Sequence, residues 1–493
     1  MIVPSWPKFR EIAKKGTLVP LYREILADLE TPVSAFLKIG GGDHSYLLES
    51  VEVSERWARY SIIGIDPQWV VSVRDGRAHV ARDGGVPKSR KADDPLEPVQ
   101  RVLEGAKTVV VPGLPPFYGG AVGYLSYDGV RSFEKLPSKA KTDLEIPDSH
   151  FMFARTMLVF DNLTHSVKVL THASTGEGAN LEKEYREALD RIETLIERLR
   201  EPVRQLPLAP RPDGPIPYRS TFTKEKYCRQ VGRIQKHIRD GNIFQAVLAQ
   251  RMETVLRSDP FDVYRALRTI NPSPYMYYLN FGDLKIIGSS PEVLVREMDG
   301  KIEVRPIAGT RPRGEDPAKE EKLVRELFDD EKERAEHVML VDLGRNDVGR
   351  VSEYGSVVTD EFMVLEKYSH VMHIVSNVTG RLKKGLQSFD VLRACFPAGT
   401  VTGAPKIRAM EIIEELEPVR RGVYAGAVGY FGYSNRMDMC IGIRTIVVKG
   451  TKAFIGAGAG IVADSVPERE WKETLQKADA LKKAIERAAR GLE

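Results

Sequence analysis

Six prolines fall within the twenty residues from Glu201 to Ser220, at positions 202, 207, 210, 212, 215 and 217. Proline fixes φ near −65° and carries no amide hydrogen, so neither a helix nor an interior strand can run through this segment. The chain is therefore expected to divide into residues 1–200, an extended linker at 201–220, and residues 221–493. Just before the prolines, Leu181, Tyr185, Leu189, Ile192, Ile196 and Leu199 recur at steps of three and four. That spacing predicts an amphipathic helix.

The first part reads as strand-rich, with β-branched runs such as Trp69–Val73 and Val167–Thr171. In the second part, helices are predicted near Lys224–Arg239, Pro317–Leu340 and Pro467–Ala489. Strands are predicted near Ile243–Arg251, Met276–Phe281, Lys285–Gly288, Ile302–Pro306, Gly426–Phe431, Met439–Val448 and Ala453–Ile455. Strands in runs with helices grouped around them favour an α+β fold over a doubly wound parallel sheet. One internal echo stands out. Tyr118-Gly-Gly-Ala-Val-Gly-Tyr124 returns as Tyr424-Ala-Gly-Ala-Val-Gly-Tyr430, either as two similar glycine-bent strands or as a duplicated unit.

Several function classes are excluded. The chain is 42% apolar and 29% charged, as a globular protein is, not a disordered one. A net charge of +4 over 493 residues exerts no general pull on nucleic acid or an anionic membrane, so an anionic ligand must be held by a local site. The uncharged stretch Thr108–Tyr127 contains Pro112, Pro115 and Pro116 and cannot form a spanning helix. No secretory core follows Met1, and the three cysteines, Cys228, Cys395 and Cys440, form no Cys-x-x-Cys pair. A cytoplasmic enzyme is expected, without membrane or nucleic-acid partners. Gly456–Ala463 resembles a dinucleotide fingerprint, but Pro467 intervenes and no later strand can complete a βαβ unit. Gly399–Lys406 lacks P-loop spacing.

The chemistry concentrates in a few side chains. Glu333 and Glu336, and again Glu470 and Glu473, are spaced to share a helix face. Four such carboxylates would either be solvated faces or converge on a divalent cation, for which Mg²⁺ is the natural choice. Arg444 sits in an apolar strand just before a glycine run; it is either a strand-end cation or a bidentate grip on a carboxylate. His370 and His373 are three apart without an evident third metal ligand, and His373 suits acid–base work near neutral pH. No Gly-x-Cys-x-Gly elbow exists, so a glutamine-hydrolysing site is not expected on this chain.

These residues sit within a longer series of motifs. It runs through Leu47–Ser50, Trp57–Gly64, Phe244-Gln245, Asn271–Met276, Pro306–Gly314, Glu336–Asp342, Arg345–Asp347, Tyr368–His373, Gly399–Met410, Tyr424–Tyr430 and Gly456–Glu473. In that order they resemble the synthase subunits of anthranilate synthase, the component I family of chorismate-utilising enzymes. The resemblance covers nearly the whole chain. It implies an α+β body of two face-packed antiparallel sheets with helices outside. It implies conversion of chorismate and ammonia to anthranilate and pyruvate with Mg²⁺, the ammonia coming from glutamine through an amidotransferase partner subunit.

The resemblance also assigns roles. Glu336 and Glu473 would bind Mg²⁺, with Glu333 and Glu470 behind them. Tyr424 and Arg444 would hold the enolpyruvyl carboxylate, assisted by the backbone around Gly458, Ala459 and Gly460, and by Lys477. Gly309 and Thr310 would line the ring pocket, and His373, with Thr310, would serve the chemistry. Related isochorismate and salicylate synthases place a lysine where Gln245 stands. Some aminodeoxychorismate synthases place one where Ala308 stands. Both absences favour anthranilate, with aminodeoxychorismate synthase as the alternative. Leu48, Glu49 and Ser50, with Pro274, Tyr275 and Met276, resemble a tryptophan inhibitor pocket, placed partly in the first 200 residues.

Overall fold

The computed structural model describes residues 1–50, 59–203, 214–367 and 371–492. Prolines 207, 210 and 212, Trp57 and Ala58, and Tyr368, Ser369 and His370 lie outside the described residues, as does the side chain of Thr310.

Before the prolines the chain builds β1 (His44–Glu49), β2 (Tyr60–Arg74), β3 (Gly120–Leu125) and β4 (Ser149–Asp161), followed by helix α1 (Leu181–Arg200). After them come α2 (Lys224–Arg239), β5 (Gln245–Val255), α3 (Pro260–Ile270), β6 (Tyr275–Phe281), β7 (Leu284–Ser290), β8 (Val293–Met298), β9 (Lys301–Val304) and β10 (Ile307–Pro312). Then follow α4 (Glu331–Val351), β11 (Val371–Arg381), β12 (Ala427–Gly432), β13 (Met437–Ile441), β14 (Thr445–Lys449), β15 (Lys452–Ile461) and α5 (Pro467–Ala489). The helical stripe before the prolines becomes α1, capped by the Asn180 side chain and buried along Tyr185, Ile192, Ile196 and Leu199.

β2 and β4 form the spine of the fold. They pair antiparallel from Tyr60↔Asp161 to Val73↔Ser149, with a register shift between Pro67 and Trp69. Asp66 adopts φ 50° at that point. A shift of this kind bends and twists both strands. On one side of the bend β2 pairs with β1; on the other it pairs with the Arg77–Arg82 strand. One sheet continues from β1 through β6, β7, β14 and β15 to β5. The other leaves β4 through β3, β12, β13, β8 and β9 to β11. Two antiparallel sheets thus share one bent pair of strands, as sheets that turn a corner do. The helices pack outside them, and the α+β architecture expected from the sequence holds.

Two large apolar cores result, with smaller clusters beside them. One gathers Tyr46, Leu158 and Ile192 with Tyr264, Ile286 and Leu481. The other gathers Phe151 with Val341, Val378 and Phe431. Each draws residues from both sides of the proline segment.

The glycine echo is a pair of neighbours. β3 lies against β12, with Gly120↔Gly432 and Leu125↔Ala427. Gly120 has φ 138°, and a Cβ there would stand 2.0 Å from the Phe431 carbonyl oxygen. Gly120→Ala is expected to cost about 3 kcal/mol or more, from strain and overpacking together. Chemical denaturation of the variant measures this; an unchanged midpoint would contradict the close approach.

Two elements differ from the sequence reading. The helix expected over 317–340 is two helices, Pro317–Asp329 and α4. Asp330 leaves helical geometry with ψ 102°, and its carboxylate accepts the amides of Lys332 and Glu333, which starts α4 afresh. The strand expected over 439–448 breaks into β13 and β14, because Arg444 takes φ 50°. Among the described residues no helix is long and apolar enough to cross a membrane.

Candidate active site

A cavity of about 430 Å³ opens where the first sheet meets α4, β11 and α5. Volumes of that order hold small organic ligands. Its floor is β15. Gly456, Gly458 and Gly460 line the cavity, and no side chain fits there. A Cβ on Gly458 would stand 2.7 Å from the Tyr424 hydroxyl; one on Gly460 would stand 2.6 Å from Gln245 Nε2. Tyr424 and Gln245 therefore rest on bare backbone. Ala459 turns the other way, into an apolar cluster with Leu248 and Ile461, as strand alternation requires.

Arg444 projects from the break between β13 and β14. Its Nη1 donates to the Lys477 carbonyl at 3.0 Å. Burial pulls its pKa below the usual guanidinium value. No carboxylate among the described residues forms an ion pair with it. A buried guanidinium in that condition is a strong site for an incoming carboxylate. Lys477, one turn beyond Glu473, donates to the Gly458 carbonyl at 3.0 Å and pairs with Glu473 at 2.6 Å.

Glu336 reaches the cavity from α4 and accepts a 2.9 Å hydrogen bond from Gln245 Nε2. Burial, and then the neighbouring Glu333, raise its pKa. Glu470 on α5 is raised by burial and by Glu473. Lys332 and Lys477 act on both Glu336 and Glu470, which places the two glutamate pairs in one electrostatic neighbourhood. Glu333 itself is held by Arg311 at 3.2 Å. Among the described residues no group of three or more His, Cys, Asp or Glu could hold a metal unaided. Carboxylates crowded in this way nevertheless fit Mg²⁺, which takes one or two of them and completes its shell with water and substrate oxygens.

His373 enters from β11. Its Nδ1 donates to the Gly309 carbonyl at 2.8 Å, and burial holds its pKa below the ordinary imidazole value. The ring is therefore neutral near pH 7, with the proton on Nδ1 and the lone pair on Nε2. Gly309 stands in a register shift between β10 and β11, from Ala308 to Arg311. Its φ is 64°, and a Cβ would meet Leu327 at 2.8 Å, so the bulge that aims its carbonyl at His373 needs glycine.

Of the residues singled out from the sequence, Glu336, His373, Tyr424, Arg444, Gly458, Gly460 and Lys477 line the cavity. Gly309, Ala459, Glu333, Glu470 and Glu473 stand outside that lining. Thr310 lies in β10. Glu292 also lines it, as do Thr400, Asn271 and Ser273, which fall in motifs named from the sequence but were given no site role there. Burial pushes the Glu292 carboxyl up to about 7. The Thr400 side chain hydrogen-bonds to that carboxyl and, with Lys477, offsets part of the rise. The signal for Glu292 was present: a lone acid after proline in Ser-Ser-Pro-Glu, between two apolar strands.

A second cavity of about 330 Å³ lies where β1 meets β6. Leu48, Glu49, Ser50, Pro274, Tyr275 and Met276 all line it. Among the described residues, Ser50 Oγ is buried without a hydrogen-bond partner. Phe117 and Tyr430 close one wall with ring centroids 4.2 Å apart. The Glu49 carboxylate accepts from Tyr264 at 2.5 Å and Arg268 at 3.0 Å, and Tyr275 donates to Asp438 at 2.8 Å.

Residues 44–483 match the family model of the chorismate binding enzymes. The anthranilate synthase component 1 of Acetivibrio thermocellus is 46% identical, over 99% of each chain. The crystal structure of anthranilate synthase component I from Streptococcus pneumoniae superposes with a TM-score of 0.77 at 37% identity, covering 93% of this chain and 99% of that one. The menaquinone-specific isochorismate synthase of Escherichia coli shares the fold, with a TM-score of 0.71 at 19% identity, covering 97% and 98%. With the family model and full-length relatives in agreement, the chain belongs to the chorismate binding enzymes and groups with their anthranilate synthase component 1 members.

Proposed function

We propose that the chain converts chorismate and ammonia into anthranilate and pyruvate. One observation carries the reading. A single cavity holds a buried guanidinium without an ion-pair partner among the described residues, Arg444, and a carboxylate crowded by other carboxylates, Glu336. Such a site suits a dianion gripped once directly and once through a cation.

Arg444 and the Tyr424 hydroxyl hold the enolpyruvyl carboxylate, with the β15 backbone at Gly458 and Gly460 beneath it. Glu336 and Glu473 are the residues that would hold Mg²⁺, with Glu333 and Glu470 behind them. When bound, Mg²⁺ anchors the ring carboxylate and polarises it as a Lewis acid. Glu292, neutral up to about pH 7, donates its proton to the C4 hydroxyl, which leaves as water while ammonia adds at C2. His373, neutral with Nε2 unprotonated, then takes the C2 proton. The C3–O bond breaks, the departing enolpyruvate takes that proton on its methylene carbon and leaves as pyruvate, the ammonium at C2 returns a proton to Glu292, and the ring becomes aromatic. Gln245 and Ala308, both in the lining, offer neither a base to activate water nor an amine to attack the ring.

Ammonia must come from elsewhere. Burial raises the thiol pKa of Cys228, Cys395 and Cys440 alike, so none is an activated nucleophile for glutamine. A glutamine amidotransferase subunit is the partner this implies, and the cytoplasm is the compartment. Assay of the chain with chorismate, ammonium and Mg²⁺ tests the reading. Fluorescent anthranilate is the expected product; isochorismate or an aminodeoxychorismate released instead overturns it.

The second cavity takes tryptophan as feedback inhibitor, with residues 1–200 supplying its Leu48–Ser50 side. The Ser50 hydroxyl, without a partner among the described residues, in a largely apolar lining supports this. Ser50→Phe adds a ring to that space. Overpacking of about 1–3 kcal/mol should raise the tryptophan concentration for half-inhibition by about tenfold or more, with ammonia-dependent turnover retained. Dose–response curves of both proteins decide it; unchanged sensitivity removes the site.

A further inference from the structure

The two cavities share a wall. Asn271, Pro272 and Ser273 line the first, and the next three residues, Pro274, Tyr275 and Met276, line the second. Two prolines in these six residues stiffen the segment, so a displacement at one end is carried to the other.

Ser289, at the end of β7 and fully buried, ties this wall to the rest of the site. Its hydroxyl donates to the Asn271 carbonyl and accepts from Asn271 Nδ2 at 3.0 Å. Ser273 Oγ lies 2.9 Å from the same oxygen. The single Ser289 hydroxyl proton serves Asn271, so Ser273 is the donor in that contact. The Ser289 amide donates to the Arg444 carbonyl at 3.1 Å. Across the β6–β7 ladder its partner is Met276. One residue therefore touches the wall of the first cavity, the strand of the second, and the residue that grips the substrate carboxylate.

We infer that Ser289 is a positioning residue that couples occupancy of the second cavity to chorismate binding in the first. The inference rests on the tryptophan reading given above. Filling the second cavity presses on Pro274–Met276. The stiff segment moves Asn271–Ser273; the Ser289 hydroxyl takes up that movement and the Ser289 amide passes it to the Arg444 backbone. Without the hydroxyl the wall and Arg444 settle independently.

Calorimetry on the full chain tests this. Tryptophan affinity is measured without and with saturating chorismate and Mg²⁺, in the absence of ammonia. In the native protein chorismate is expected to weaken tryptophan about tenfold or more. In Ser289→Ala tryptophan still binds, but the ratio falls to about twofold or less. Ser273→Ala, which removes the other hydroxyl of the pair, lowers the ratio in the same direction and serves if the first variant does not fold. Ser149→Ala deletes a buried hydroxyl bonded to the Pro95 carbonyl at 2.6 Å, away from both cavities; it keeps the native ratio. A Ser289→Ala protein with the full native ratio, or a native ratio near one, overturns the inference alone. A native protein that binds no tryptophan overturns the reading of the second cavity, and the inference with it.

Discussion

Glu292→Gln is expected to lower kcat by about 10²- to 10⁴-fold, the usual worth of a positioned general acid. The amide keeps the shape and a hydrogen bond but has no proton to give, so the KM for chorismate should change little. The pH profile makes the test specific. Burial raises the Glu292 carboxyl to about 7, so the protonated, donating form is lost as pH rises through that value. His373 is lowered by burial, so its basic form persists below the ordinary imidazole range. Activity should fall above about pH 7 through Glu292, and on the acid side only below the ordinary histidine value. Glu292→Gln removes the alkaline limb along with most of the rate. Steady-state anthranilate fluorescence across pH measures both. A loss of less than about tenfold, or an alkaline limb that survives, assigns the acid elsewhere.

Glu336→Gln is expected to lower kcat/KM by about 10²-fold, since one substitution removes a metal ligand and, with it, the hold on the ring carboxylate. The side chain is nearly isosteric and can still accept from Gln245 Nε2, so the fold should survive. Two readouts separate a metal ligand from a merely buried acid. The Mg²⁺ concentration for half-maximal rate should rise by about 10- to 100-fold. Chorismate binding, measured by calorimetry without ammonia, should strengthen with Mg²⁺ in the native protein and respond weakly in the variant. A variant with native Mg²⁺ dependence would exclude Glu336 as a ligand.

Much of this site is legible in the chain because charged groups in apolar surroundings are conspicuous. Arg444 in Cys-Ile-Gly-Ile-Arg and Glu336 on a helix that also carries apolar residues stand out for that reason. Helices α2 and α5 run over Lys224–Arg239 and Pro467–Ala489, because a capping Thr223 and an N-terminal Pro467 mark their starts in the sequence. Glu292 shows in the sequence as a lone acid between apolar strands, but its proton affinity is silent there. Burial raises that affinity, while Thr400 and Lys477, distant in sequence and adjacent only after folding, lower it in part. The bulge at Gly309 is equally silent, since a glycine in a strand says nothing of the carbonyl it will aim. Asp330 was a missed cap, overlooked inside a charged run that reads as one continuous helix.

The pairing of β3 with β12 has a consequence for how the molecule is made. Its two strands are separated by about 300 residues. At about 5–20 residues per second of synthesis, the earlier strand waits on the order of 15–60 seconds for its neighbour. β1 waits likewise for β6. During that interval the nascent first part exposes apolar strand edges that no local hairpin can cover. Its survival on the ribosome depends on being shielded from other growing chains, and its yield in a cell should follow chaperone supply more closely than its final stability.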